Sequence, residues 1–198
     1  MTNKKSLVFA TSNQNKLLEI NKLLTSDLNI EIKTLSDINV TEDIPETGKT
    51  IEENAIQKAA YIYNKYGYNC FAEDTGLLVD ALNGEPGIYS ARYAGEDRND
   101  NKNIEKILSN LNSATNRNAH FKTVIALILE GETFIFEGKI EGEITTAPQG
   151  TSGFGYDPIF RPNGYNRTFA EIGLEEKNKI SHRAKALFKL TGFLESVK

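Results

Sequence analysis

Apolar residues come first in a short run, Leu7-Val8-Phe9-Ala10, closed by Thr11, which reads as a strand buried on both faces. A helical stripe follows: Leu17, Ile20 and Leu24 recur at i, i+3 and i+7, with Leu18 and Leu23 widening it. Residues 30–35 alternate weakly, as a second strand would. Residues 37–48 are a polar loop broken by Pro45 and Gly48. Thr50 and Glu53 then make a capping-box signature for a helix with Ile51, Ala55, Ala59, Ile62 and Tyr66 on one stripe, stopped by Gly67. Cys70-Phe71-Ala72 reads as the end of a buried strand that Gly76 turns, and residues 77–82 suit either a strand or a helical turn.

Residues 83–95 form a long loop rich in glycine. Asp100 caps a helix carrying Ile104, Ile107, Leu108 and Leu111. Residues 121–129 are apolar and β-branched enough for a central strand, and residues 133–136 return beside it as a hairpin. Ile140, Gly142 and Ile144 share a face further along. Pro148 and the glycines at 150, 153 and 155 open a loop. A last helix, 177–197, turns Ile180, Ala184, Leu187, Thr191 and Leu194 inward. Its period sets Arg183 beside that stripe and points His182 elsewhere, so the two are not both core. Strands and helices are thus interleaved along the chain, whose length suits one domain over residues 1–198.

Composition changes this picture little. The 198 residues are 39% hydrophobic and 25% charged, enough for one well-buried core. A net charge of −4 argues against a nucleic-acid polymer as partner but leaves room for a mononucleotide. The single Cys70 forms no internal disulfide. The apolar run near the N-terminus is too short for a signal peptide, and no run is long enough to span a membrane. The expectation is a cytoplasmic enzyme or binding domain.

Chemistry concentrates in a few stretches. Glu73 and Asp74 are adjacent acids, costly to crowd unless a cation or proton sits with them; the same residues also suit a solvated acidic turn. Thr11-Ser12-Asn13-Gln14-Asn15-Lys16 is a string of hydrogen-bonding side chains that puts Lys16 in the first turn of a helix, where the macrodipole disfavours a cation unless an anion binds there. It lacks the glycines of a Walker A loop. Lys177 and Lys179 stand at the start of the last helix in the same way. Phe154 and Tyr156, set among glycines, can lie flat against a base or serve as core.

Five segments in order carry a family likeness: Thr11 to Lys16; Pro45-Glu46-Thr47-Gly48 with Glu53-Asn54-Ala55; Glu73-Asp74-Thr75-Gly76 with residues 86–92; Phe154-Gly155-Tyr156-Asp157-Pro158; and Glu176-Lys177 with Ser181-His182-Arg183. The chain resembles the inosine-triphosphate pyrophosphatase (RdgB-like) family. Two positions depart from its pattern: Ser12 replaces a common Gly, and Glu73 a common Asp. The resemblance implies an elongated mixed sheet flanked by helices, in two lobes with a cleft, commonly paired as a homodimer. It implies Mg²⁺-dependent hydrolysis of ITP, dITP or XTP to the monophosphate and pyrophosphate. Asp74 would be the proton acceptor and, with Glu46, a metal ligand, and Glu73 an assisting acid. Thr11, Ser12, Asn13, Gln14, Asn15, Lys16 and Thr75 would hold phosphates. Phe154, Gly155, Tyr156, Asp157, Lys177, His182 and Arg183 would surround base and sugar.

Overall fold

The computed structural model describes residues 5–23 and 30–197. Six strands make one mixed sheet: β1 (Lys5–Phe9), β2 (Ile30–Lys33), β3 (Cys70–Val79), β4 (Asn118–Leu129), β5 (Glu132–Ile144) and β6 (Phe160–Pro162), in the order β2-β1-β3-β4-β5-β6. β1 runs parallel to β2, with Leu7 opposite Ile32, and parallel to β3, with Phe9 opposite Phe71. β5 is antiparallel to β6, with Gly142 opposite Pro162. Glu130 and Gly131, both at positive φ, join β4 to β5 in the two-residue turn whose twist suits a hairpin. The helices are α1 (Gln14–Leu23), α2 (Ile51–Tyr66), α3 (Asp100–Asn110), α4 (Phe169–Ile180) and α5 (His182–Ser196). None of the described helices is long and apolar enough to cross a membrane. The mixed α/β architecture agrees with the sequence.

The chain divides into two compact units. The first comprises residues 1–74, 123–137 and 185–198, the second residues 75–122 and 138–184. In the first, Leu17 and Ile20 of α1 and Leu187 and Leu190 of α5 bury against Phe9, Phe71 and Ile125 of the sheet. The rings of Phe9 and Phe71 stack at 4.5 Å across the parallel pair. In the second, Ile104, Ile107 and Leu111 of α3 meet Leu77, Val79, Ile140 and Phe160. Each such buried side chain contributes about 1.5–3 kcal/mol.

Several local expectations change. Gly76 makes no turn: β3 runs through it to Val79, and a 3-10 turn at Asp80–Leu82 ends the element. Leu18 is exposed rather than part of the α1 stripe, and Leu24 lies outside the described residues. The cap of α3 is Asn99, one residue before Asp100, its side chain accepting from the amide of Lys102. The last helix is two, α4 and α5, parted at Ser181, whose ψ of 159° is extended. Lys177 and Lys179 therefore close α4 instead of opening a helix, and the macrodipole favours them there. The same break defeats the periodic argument about His182 and Arg183. Both are buried, because at the start of α5 each enters its own packing: His182 stacks on Phe121 at 4.6 Å, while Arg183 lies over the Phe154 ring.

Candidate active site

Successive residues of a strand face opposite ways. Because β3 does not end at the acids, Glu73 and Asp74 point to different sides of the sheet, each toward a lysine of its own. On one side Glu73, its carboxylate wholly buried, takes Lys16 Nζ at 3.1 Å. Asn13 sets up that partner by capping α1: its Oδ1 accepts from the amide of Lys16 at 3.2 Å, while the Oγ1 of Thr11 accepts from the amide of Asn13. Ser12, Gln14 and Asn15 are exposed beside them. The acid that offsets the unfavourable cation in the first turn of α1 is thus the protein's own Glu73.

On the other side Asp74 meets α2. Lys58 Nζ lies 3.2 Å from Asp74 Oδ1 and also donates to Glu46 Oε1, so one ammonium is held between the two carboxylates. Asn54 Nδ2 reaches Asp74 Oδ2 at 3.4 Å. Burial acts to lower the pKa of Lys58, but the charges of Asp74 and Glu46 and their hydrogen bonds outweigh it and hold it above the usual lysine value. A buried lysine is stable only with such partners.

Sequence reasoning missed Lys58, and it gave Asn54, a residue of the second family segment, no role. Their signal was the α2 stripe itself: both fall on its buried face among Ile51, Ala55, Ala59 and Ile62, where a charge needs a reason.

The loop that carries Glu46 lies along α2. Thr47 N donates to Gln57 Oε1 at 2.8 Å, and Gln57 Nε2 returns to Thr47 Oγ1 at 2.9 Å. Gly48 N donates to Asn54 Oδ1 at 2.8 Å, and Lys49 N to Glu53 Oε2 at 2.6 Å. Glu53 is therefore the acid of a half capping box, with Thr50 Oγ1 accepting from its amide. Gly48 admits no side chain, since a Cβ would stand 2.7 Å from Glu53 Cβ and 2.9 Å from Asn54 N. Further out, Glu42 accepts from Lys65, Tyr61 and Tyr66. Those bonds, Lys65's first, pull its carboxyl down to about 2.

The second unit gathers the remaining predicted residues. Asp157 is buried, and its Oδ2 accepts from Lys177 Nζ at 2.6 Å and from the amide of Phe154 at 3.0 Å. Lys177 stands 4.9 Å from the centre of the Phe154 ring, and the Arg183 guanidinium 5.7 Å from it. Arg183 Nη2 reaches Thr75 Oγ1 at 3.4 Å. Gly155 N donates to Asp100 Oδ2 at 2.7 Å, which ties the loop to α3. Tyr156 takes the core role rather than offering a flat face: it is buried, and its hydroxyl donates to the Ser90 carbonyl at 2.8 Å. Burial raises its phenol well above the ordinary tyrosine range.

Glu46 and Asp74 suit a hard divalent ion. Mg²⁺ characteristically takes one or two carboxylates and completes its octahedron with water and substrate phosphates. Among the described residues no cluster of three or more His, Cys, Asp or Glu side chains is arranged to cage a metal.

Residues 7–193 match the Ham1 family model, and the chain belongs to that family. A Flavobacterium johnsoniae protein named dITP/XTP pyrophosphatase is 57% identical over 192 residues, covering 97% of this chain and 99% of its own. The Staphylococcus aureus Ham1 protein has a solved structure with a TM-score of 0.90 at 42% identity, covering 98% of this chain and all of that one. A Mycobacterium abscessus structure, named nucleoside-triphosphatase / dITP/XTP pyrophosphatase, gives 0.77 at 41% identity over 93% of this chain and 98% of its own. The family likeness read from the five sequence segments is borne out.

Proposed function

We propose that this protein hydrolyses non-standard purine nucleoside triphosphates, ITP, dITP and XTP, to the monophosphate and pyrophosphate. It is a nucleoside-triphosphate pyrophosphatase, an enzyme acting on phosphoric anhydride bonds, and it cleanses the nucleotide pool. The observation that carries the reading is the ammonium of Lys58 held between Glu46 and Asp74: two carboxylates converge on a cation in the unit that also bears residues 11–16. The relatives' shared name supports it.

Glu46 and Asp74 would hold the divalent ion, Mg²⁺ in this reading, which when bound neutralises phosphate charge. Asp74 accepts a proton from the water that attacks the α-phosphorus, a role worth about 10²–10⁴ in rate. Lys16, drawn onto the end of α1 by Glu73, supplies positive charge to the phosphates, with Thr11 to Asn15 and Thr75 as hydrogen-bonding partners. Glu73 thus assists by orienting Lys16 rather than by handling the proton. For the base, Phe154 offers a ring to stack on, and Lys177, fixed by Asp157, donates to a purine 6-keto oxygen, with His182 and Arg183 alongside. Adenine's 6-amino group would face that donor unpaired, costing about 1–3 kcal/mol. The protein works in the cytoplasm as a homodimer, on a nucleotide and no nucleic-acid polymer.

The test is a turnover panel of ITP, XTP, dITP, GTP and ATP with Mg²⁺, with the products identified. ITP, dITP and XTP should lead by 10-fold or more, releasing pyrophosphate. Equal rates on all five, or orthophosphate as product, would refute the reading.

A further inference from the structure

The loop before α2 is fastened rung by rung. In sequence order Glu42 meets Tyr61, Lys65 and Tyr66; Glu46 meets Lys58; Thr47 meets Gln57; Gly48 meets Asn54; Lys49 meets Glu53. Loop numbers rise as helix numbers fall, so the loop runs antiparallel along one helix. Four of these contacts end on groups of obvious local use: a cap, a buried amide, a carboxylate–lysine pair, and an outer clamp on the helix end. The Gln57–Thr47 rung serves none of those needs. It is a double bond pattern, backbone amide to carbonyl oxygen and side-chain amide to hydroxyl, on the residue directly after Glu46.

Two hydrogen bonds to one residue fix its backbone in both position and rotation. Glu46 leads into Thr47, so what Gln57 fixes is the direction from which the Glu46 carboxylate approaches Lys58 and Asp74. Without it, the loop keeps its outer clamp at Glu42, the Glu46–Lys58 pair and its inner stop at Gly48, but Thr47 loses the two bonds that set its peptide. We infer that Gln57 is a positioning residue for the divalent-ion site: through Thr47 it holds Glu46 where that carboxylate can share an ion with Asp74. The inference rests on the metal role given to Glu46 above. Gln57 spends both ends of its side-chain amide on Thr47, which separates it from the groups that would bind the ion.

Partners that orient a metal ligand from behind typically change affinity or activity by about 10–100-fold. The experiment measures Mn²⁺ binding to the full chain by electron paramagnetic resonance, with an α,β-imido analogue of ITP present so that no turnover occurs. Gln57→Leu, similar in size but without hydrogen bonds, should raise the half-saturating Mn²⁺ about 10-fold. Its circular dichroism should match the wild type. Gln57→Glu keeps two acceptors for the amide and hydroxyl of Thr47, and should recover most of the loss. If Gln57→Leu does not fold, Thr47→Val removes only the hydroxyl rung and should shift the midpoint about 3-fold. A folded variant with an unshifted Mn²⁺ midpoint overturns the inference. Wild-type protein indifferent to Mn²⁺ would undo the metal reading beneath it, a separable result.

Discussion

Lys58 Nζ lies 3.2 Å from Oδ1 of Asp74, and the same ammonium binds Glu46, so the two acids have a counter-ion built into α2. Replacing Lys58 by Met leaves two carboxylates facing each other across an uncharged chain. Breaking a buried pair costs about 3–5 kcal/mol. Because Glu46 is about a third exposed, the lower end applies, about 3 kcal/mol in metal-free buffer. Added Mg²⁺ should restore more stability to Lys58→Met than it adds to the wild type. Thermal unfolding with and without the ion measures both.

Asp74→Asn keeps the size and one acceptor of Asp74 but not its basicity. We expect kcat on ITP to fall about 10³-fold. The fold should survive, because the one remaining oxygen still accepts from Lys58, which also keeps Glu46, while Asn54 loses only a long 3.4 Å bond. Product formation in a single-turnover assay, set against circular dichroism, checks the pair of expectations. Activity within 10-fold of wild type would remove Asp74 from the proton-accepting role.

Glu42 gives a pH signature. Its carboxyl is lowered from 4.5 to about 2 by Lys65, Tyr66 and Tyr61. A carboxyl lowered in the folded state contributes stability that is complete above its unfolded value and disappears as pH falls through the folded one. Wild type and Glu42→Gln should therefore differ in Tm by a constant amount above about pH 5. The difference should shrink from about pH 4.5 and vanish near pH 2. Paired melting curves across that range decide it; a gap that widens on acidification would reverse the assignment.

Gly153 has a φ of +81°, and a Cβ there would stand 2.0 Å from Asp157 Oδ2. Gly153→Ala must displace Asp157 and with it the 2.6 Å contact to Lys177. The expected loss is about 3–5 kcal/mol, together with weakened preference for ITP over ATP. Gly164→Ala is the control: its φ is +84° but no atom lies within 4 Å of the added carbon. That change should cost only about 1–2 kcal/mol from backbone conformation. Urea unfolding of both variants separates the collision from the dihedral.

Much of this could be read from residue order, and the failures share a cause. Period and capping located α2, β4, the β4–β5 hairpin and the buried stripe of α5, because each is a local pattern repeated over many residues. The turn expected at Gly76 was wrong because glycine permits a turn without requiring one, and the core on both faces of β3 decided for a strand. Reading residues 177–197 as one helix failed at a single extended residue, Ser181, which a periodic stripe cannot detect. That one dihedral also decided the surroundings of His182, Arg183 and Lys177. Glu46, Asp74 and Lys16 were legible as chemistry, but their partners were not. Lys58 is 16 residues from Asp74, and Glu73 is 57 from Lys16; such pairings exist only after the sheet has formed.

The alternation along β3 makes the length of that strand an inherited quantity. Deleting one residue between Phe71 and Glu73 would rotate every later side chain to the opposite surface. The acid now facing α1 would then look toward α2, and the one facing Lys58 would look toward Lys16, so both lysines would still meet a carboxylate, each a residue too long or too short to fit. Such a protein would conserve every charge and lose its geometry, and a count of its charged residues would never reveal the difference.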